Sequence, residues 1–383
     1  MAKQNNIQTE NDIKFETRAQ ENLEHRKETT RAVFTKFEER KELADGYALR
    51  YPKTGEWTAR LQDFSTIWRR SCPYMNFEVI PEANNGATWL HITGPEGTKN
   101  FVESSQQMLT SYLNPGTNSS PGFKQKFAAL TRKWRVLPDF LIIGAKKCGT
   151  TSLYSYVTQH PAVAPASMKE IYYFVGNYRC GLDWYRTFFP TVFERFFAKN
   201  VVQRDFMTGE ATPEYIVHPR APKRVRATLP NVKLIAILRN PVDKAYSFYQ
   251  HQLRNGVETL PFEEAIAREQ EILKNNPGYF DHNYSYLLPG MYASQIKNWL
   301  RLFPKEQLLI LTNEALNDTP DRTVAEAIAF LGLPKYEQIK FRKLNAFPYP
   351  DMDGAVRSRL LDYFAPHNRK LYKMLGRDLG WEK

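Results

Sequence analysis

The stretch from Pro138 to Val157, PDFLIIGAKKCGTTSLYSYV, leaves this chain few folds to choose from. Its start, Phe140 to Ile143, is apolar without alternation, as a parallel strand buried on both faces must be. Gly144-Ala-Lys-Lys-Cys-Gly149 follows, and residues without a Cβ let backbone N–H groups close on an anion. Thr150, Thr151 and Ser152 then open a helix-compatible segment, whose unpaired N–H groups and positive dipole end face the same anion. Lys146 and Lys147 add full charges, and the hydroxyls can donate to phosphate oxygens or cap the helix. The pattern predicts a strand, a phosphate loop and a helix.

The nucleoside triphosphate loop, G-x-x-x-x-G-K-[ST], shares the spacing of Gly144 and Gly149 but places a lysine where this chain has Thr150. Here the lysine stands before the second glycine, at Lys147, so the loop suits phosphate without being arranged for Mg-ATP. K-x-G-T-T after an apolar strand resembles the 5′-phosphosulfate loop of sulfotransferases that use 3′-phosphoadenylyl sulfate (PAPS). The resemblance implies that Lys146, Lys147, Cys148, Gly149, Thr150, Thr151 and Ser152 bind PAPS, with Lys147 also stabilising charge on the leaving phosphate, and that no metal is needed.

A second strand, Val232 to Leu238, ends in Arg239-Asn240-Pro241 and enters a helix that carries Ser247. Pro241 suits a first helical turn, and a guanidinium fork beside a hydroxyl suits a terminal phosphate dianion. The segment is similar to the family's R-[DN]-P-x(5)-S site for the 3′-phosphate, which assigns Arg239 and Ser247 to the donor. A triphosphate hydrolase would want an acidic residue after such a strand, where this chain has Arg239 and Asn240.

Lys169-Glu-Ile-Tyr-Tyr-Phe174 resembles the [NK]-E-x-[HY]-[FY]-F segment of sulfotransferases related to the heparan sulfate enzymes, which makes Glu170 the candidate catalytic base. A carboxylate beside aromatics is expected to have its pKa raised toward a useful value. Glu210-Ala-Thr-Pro-Glu-Tyr215 matches the family's E-[KA]-[TS]-P-x-Y strand end, with Ala211 where the animal glycan enzymes usually have lysine. Glu210, Tyr173 and Trp184 are the candidate acceptor contacts, and Tyr172, Tyr178 and Tyr185 add to an expected aromatic-lined cleft. Asn298 to Pro304 and the segments through Trp381 resemble the family's closing elements. Lys340, Arg342 and Lys343 are the nearest substitutes for its basic K-G-R segment.

At 383 residues with 42% hydrophobic content, the chain has enough apolar material for two cores. No apolar stretch is long enough to span a bilayer and the N-terminus lacks an apolar leader, so the expected location is cytoplasmic. Three scattered cysteines, Cys72, Cys148 and Cys180, make neither a disulfide framework nor a zinc site. The net charge of +12 favours anionic partners. No zinc-finger spacing, RNP-like segment or basic-aromatic ladder points to nucleic acid.

The N-terminal third reads separately. Residues 1–30 are polar and read as a tail. Residues 31–113 read as a small two-layer α/β module: a helix-like ThrLysPheGluGluArgLys, a strand at Tyr47 to Tyr51, a helix from about Thr54 to Arg70, strands at Asn76 to Ile80 and Ala87 to Ile92, and a helix from about Glu96 to Tyr112. Gly46 to Pro52, Ser71 to Tyr74 and Gly94 to Lys99 resemble a pattern in small stand-alone proteins of the CCPF type, with Ser71 replacing one cysteine. Dimerisation or partner binding is the expected role. Leu113 to Phe123 is a linker by composition and Lys124 to Lys133 a basic helix, so residues 114–135 join the module to a domain at 136–383. The expected fold is α/β, a P-loop-like parallel sheet flanked by helices and preceded by the small α/β domain. The expected reaction is transfer of a sulfuryl group from PAPS to an acceptor hydroxyl of a sugar, polyketide-like compound or lipid. A nucleotide kinase or NTPase, and a non-catalytic PAPS-binding protein, are the alternatives.

Overall fold

The structure, a computed structural model, describes residues 28–29, 32–53, 55–69, 75–82, 86–94, 98–99, 102, 128–129, 131–200, 206–342 and 348–382. The expected N-terminal tail, the linker, most of the helix at Glu96 to Tyr112, the start of the basic helix, Cys72 and Lys343 lie outside these residues. The chain divides into two compact units, residues 1–136 with 190–206, and residues 137–189 with 207–383.

The first unit holds an antiparallel sheet of β1 (Glu39–Leu43), β2 (Gly46–Tyr51), β3 (Asn76–Pro81) and β4 (Thr88–Thr93) in the order β1-β2-β4-β3, with α1 (Gly55–Arg69) between β2 and β3. Trp57, Leu61 and Phe64 of α1 recur at helical spacing and pack with Leu49, Tyr51, Phe77 and Ile92 into one core. Ser65 Oγ and the Arg69 guanidinium both donate to the Phe77 carbonyl, at 2.7 and 2.6 Å, which ties the end of α1 to β3. The segment read as helical at Thr35 to Lys41 is different. The chain leaves its helical turn after Thr35, and Glu39–Leu43 pairs with Gly46–Tyr51 through the Ala44-Asp45 turn. The charged residues that favour a helix locally are overruled by the ladder that β2 offers.

The second unit is a five-stranded, wholly parallel sheet in the order β6-β7-β5-β8-β9, formed by β5 (Phe140–Gly144), β6 (Val163–Pro165), β7 (Met207–Ala211), β8 (Lys233–Leu238) and β9 (Leu308–Thr312). Every residue of β5 is buried, as its unbroken apolar run requires. The helices are α2 (Thr150–Val157), α3 (Leu182–Arg186), α5 (Ala221–Thr228), α6 (Pro241–Arg254), α7 (Phe262–Asn275), α8 (Tyr292–Leu300), α9 (Asn313–Asp318), α10 (Pro320–Leu331) and α11 (Gly354–Leu375), while α4 (Val192–Asn200) belongs to the first unit. Val242, Phe248 and Tyr249 of α6 share a core with Phe262 and Ile266 of α7 and Leu360 and Phe364 of α11. After β5 the chain builds β6 and β7 on one side, then β8 and β9 on the other. The reversal opens a crevice at the C-terminal end of β5, where open α/β sheets bind their ligands.

Candidate active site

The phosphate loop leaves β5 through Gly144, where a Cβ would lie 2.4 Å from Ile216 Cγ2, so only glycine fits against that wall. Lys147 takes a left-handed conformation at φ 67° and Gly149 another at φ 95°. These turns fold the loop back so that α2 starts directly behind it. Partners outside the loop fix the backbone: Ala145 N donates to the Ile237 carbonyl at 2.7 Å, and Asn313 Nδ2 donates to the Cys148 carbonyl at 3.0 Å. The Tyr292 hydroxyl donates to the Arg239 carbonyl at 2.9 Å and touches Cys148 Sγ at 3.7 Å, joining the ends of β5 and β8 from below. Burial pushes the Cys148 thiol up to about 11, so the sulfur is packing and not a nucleophile.

Among the described residues no carboxylate pairs with Lys147. Burial lowers its ammonium below the usual range, and the charges of Arg254, Arg239 and Lys146 push the same way. Arg239 reaches from the end of β8 to donate to the Lys147 carbonyl at 3.4 Å. Ser247 is buried on α6. Lys146 turns to the other side, with Nζ 3.7 Å from Glu214 Oε1 and 4.4 Å from the centre of the Phe248 ring. The result is a group of cations at the positive end of a helix, with Lys147 left uncompensated, an arrangement suited to a multiply charged phosphate ester.

Residues 137–349 match the family described as "Sulfotransferase domain". The chain belongs to the sulfotransferase family. Members of this family take their sulfuryl group from PAPS, and the loop of this chain offers lysine side chains and backbone N–H groups to such a donor. A bifunctional heparan sulfate N-deacetylase/N-sulfotransferase 2 from Bos taurus is 32% identical over 63% of this chain, a match that spans 30% of that relative's own length. Heparan sulfate glucosamine 3-O-sulfotransferase 6 from Mus musculus is 32% identical over 65% of this chain and 75% of that protein. The crystal structure of a sulfotransferase from Alicyclobacillus acidocaldarius covers 65% of this chain and all of its own at 30% identity and a TM-score of 0.52.

The opposite side of the crevice is built differently. Glu170 and Tyr172 both sit at left-handed backbone angles, φ 59° and 55°, in the segment that follows β6. Glu170 N donates to the Ala211 carbonyl at 3.1 Å, which brings the carboxylate to the end of β7. Lys169 Nζ contacts Glu170 Oε1 and the Tyr172 hydroxyl donates to Oε2 at 2.7 Å. Burial raises the Glu170 pKa, but the Lys169 and Tyr172 bonds and the Lys146 charge outweigh it and hold the carboxyl below its ordinary value. The expected upward shift is thus reversed, because the Lys169 ammonium and then the Tyr172 phenol bond to the charged form.

Glu210 is not in the cleft. Its side chain is fully buried and accepts from the hydroxyls of Tyr185 at 3.0 Å, Tyr215 at 2.6 Å and Thr212 at 2.6 Å. Burial raises its pKa, and those three bonds oppose the rise. It latches the end of β7 to the acceptor wall, so the expected acceptor contact is corrected to a wall residue. Tyr173 is also buried, stacked on Tyr185 with ring centres 4.2 Å apart, and Trp184 lies half-buried beside it at 6.4 Å. Of the expected aromatic lining, Tyr172, Tyr178 and Trp184 keep accessible surface, while Tyr173 and Tyr185 form the layer beneath. Lys340 and Arg342 hold α2 through their backbones: Lys340 N donates to Gln159 Oε1 at 2.9 Å and the Arg342 carbonyl accepts from the Tyr156 hydroxyl at 2.7 Å.

Sequence reasoning missed a polar stripe on α6. Lys244, Ser247, His251 and Arg254 follow one another at spacings of three and four along one helix face. Lys244 is buried, with Nζ donating to the Tyr286 carbonyl at 3.4 Å, and burial pulls its pKa down to about 8. Burial also lowers the pKa of His251, which feels the charges of Lys147, Arg254 and Lys146 and, oppositely, Glu170. The signal was available as helical spacing after Arg239-Asn240-Pro241. Glu214 and His282 were likewise passed over, and their nitrogen–oxygen contact exists only because the loop at Asp281 folds over the end of β7.

Proposed function

We propose that this site transfers the sulfuryl group of PAPS to an acceptor hydroxyl or amine. The observation that supports this reading is Lys147, an ammonium with no carboxylate partner among the described residues, at a left-handed turn between Arg239 and the start of α2. Lys147 with the Cys148 to Thr151 backbone binds the 5′-phosphosulfate, and Thr151 and Ser152 complete the cradle, whereas Lys146, expected there from the sequence, is turned toward Glu214. Arg239 and Ser247 bind the 3′-phosphate. The acceptor attacks sulfur in line with the leaving phosphate oxygen, and Lys147 stabilises the charge that gathers there. Glu170 is ionised at neutral pH and stands where it can take the acceptor's proton. Ala211, lying where the glycan enzymes of the resemblance carry lysine, favours acceptors less anionic than a sulfated glycan.

The donor is tested by thermal shift. The product nucleotide, 3′-phosphoadenosine 5′-phosphate (PAP), should stabilise the protein without Mg²⁺ and increasingly so with concentration, whereas ATP-Mg should do much less. An equal shift with adenosine 5′-phosphosulfate, which lacks the 3′-phosphate, would remove the role given to Arg239 and Ser247. A screen of sugar, amine and phenol acceptors with labelled PAPS then identifies the second substrate.

A further inference from the structure

We propose that Asn313 and Glu314 are positioning residues that tie the two phosphate-binding ends of the donor wall together, so that the two phosphates of PAP bind as a coupled pair, an inference that rests on the donor assignment above. The two motifs lie on different strands, one in the loop after β5 and the other at the turn after β8. A nucleotide bearing both phosphates needs those ends held at one separation before it arrives. Whatever fixes the separation raises affinity without touching the ligand.

The start of α9 reaches both ends. β9 lies beside β8, on the side away from β5, and the chain leaves it directly into α9. Asn313 Nδ2 donates to the Cys148 carbonyl in the loop at 3.0 Å, and Glu314 Oε1 accepts from Asn240 N, next to Arg239, at 2.8 Å. Two consecutive side chains thus hold the backbone of both phosphate motifs. The loop makes room for this approach, because a Cβ on Gly149 would stand 2.8 Å from Asn313 Nδ2.

The brace is itself fixed. Thr312 Oγ1 accepts from Ala315 N at 3.3 Å as the cap of α9, Asn313 Oδ1 accepts from Asn317 Nδ2 at 3.0 Å, and Leu316 anchors the helix in the core. Asn240 is held on its other side, where its Oδ1 caps α6 through Val242 N at 3.0 Å. Asn313 and Glu314 are only half-buried, so neither serves to fill the core.

Two other links join the same ends. Arg239 donates to the Lys147 carbonyl at 3.4 Å, a long bond that a phosphate dianion would take over. The Tyr292 hydroxyl bonds to the Arg239 carbonyl from below and touches Cys148 Sγ. With the donor in place, the separation therefore rests on Tyr292 and on the pair at the start of α9.

The test is calorimetry on the full chain with PAP, adenosine 5′-monophosphate and adenosine 3′-monophosphate, the last two carrying one phosphate each. Asn313→Ser and Glu314→Ala should each weaken PAP by about 50-fold, while each monophosphate loses about twofold or less, since a ligand that uses one end does not need the other in register. Glu314→Gln keeps an oxygen for Asn240 N and should bind PAP within about threefold of the wild type. If Glu314→Ala does not fold, Asn313→Ser, a small polar replacement at a half-buried position, carries the test alone. A PAP loss no greater than the product of the two monophosphate losses would overturn the proposal, because a general loosening of the fold predicts that result. Equal losses in Glu314→Gln and Glu314→Ala would overturn it too, since the bond to Asn240 would then not matter. Failure of the wild-type chain to bind PAP would instead sink the donor reading, and the coupling with it.

Discussion

The two walls of the crevice solve the same problem, holding charged groups at a sheet edge, in opposite ways. On the donor wall the lysine at the centre of the loop has no carboxylate partner among the described residues, and its position is set by backbone turns at Lys147 and Gly149 and by bonds to main-chain atoms. On the acceptor wall Lys169 and Lys146 each meet a carboxylate, and the segment is fixed by side chains, the Glu210 carboxylate with its three hydroxyls and the Tyr173–Tyr185 stack. A cation that is left unpaired stores electrostatic energy that an incoming anion releases. One that is paired sets the protonation of its partner. The first wall is therefore suited to binding a phosphate ester, and the second to managing a proton.

The sharpest way to break the comparison is to remove one lysine from each wall. Lys147→Ala should lower sulfuryl transfer by about 10²–10³-fold, the usual cost of deleting one group that meets charge developing in the transition state. Lys169→Ala should cost less and change the pH dependence instead: without its partner the Glu170 carboxyl rises, so the rate begins to fall at a higher pH on acidification. Equal losses with unchanged pH profiles would erase the distinction.

Next in size is Arg239→Ala, expected to weaken PAP binding by about 2–4 kcal/mol by calorimetry, with about 1 kcal/mol for Ser247→Ala. A normal PAP affinity in Arg239→Ala would separate the β8 end from the donor wall.

On the acceptor wall, Glu210→Ala leaves three buried hydroxyls without their acceptor and should destabilise the fold by about 2–3 kcal/mol in urea unfolding. The sign of its pH effect follows from the raised folded-state pKa. Between the unfolded and folded values the native state binds more protons, so this group's contribution to stability declines as pH rises through that window. Glu210→Gln should remove that decline, seen as the difference between the two stability curves from pH 4 upward.

Smaller still is Gly149→Ala, where a Cβ would stand 2.8 Å from Asn313 Nδ2 at φ 95°. About 1–2 kcal/mol of strain is expected, with a weaker PAP-induced thermal shift as the loop moves. The smallest effect is expected at Cys148. Burial holds its thiol at about 11, so peptide mapping after iodoacetamide treatment at pH 8 should find the exposed Cys180 alkylated and Cys148 intact.

The strand, loop and helix from Phe140 to Val157 were legible in the sequence because they are local. A buried parallel strand, two glycines and a helix start are contiguous from Phe140 to Val157, and each makes its geometry without distant help. The strand before Arg239 could be read for the same reason. What local pattern could not decide was which polar groups near those motifs face the crevice. Glu170 and Glu210 both read as carboxylates of the expected cleft, yet three hydroxyls brought from Thr212, Tyr215 and the distant Tyr185 close the second to solvent. The β1 segment, rich in charge and helix formers, became a strand because β2 supplied a ladder for it. Backbone-built sites are written in runs of neighbouring residues, whereas the burial and protonation of a side chain depend on partners that only the folded chain brings within reach. For this protein, sequence by itself determined the parallel sheet and the phosphate loop, and tertiary structure decided that Glu210 is wall, that Glu170 is held ionised, and that Glu214 meets His282 beside Lys146.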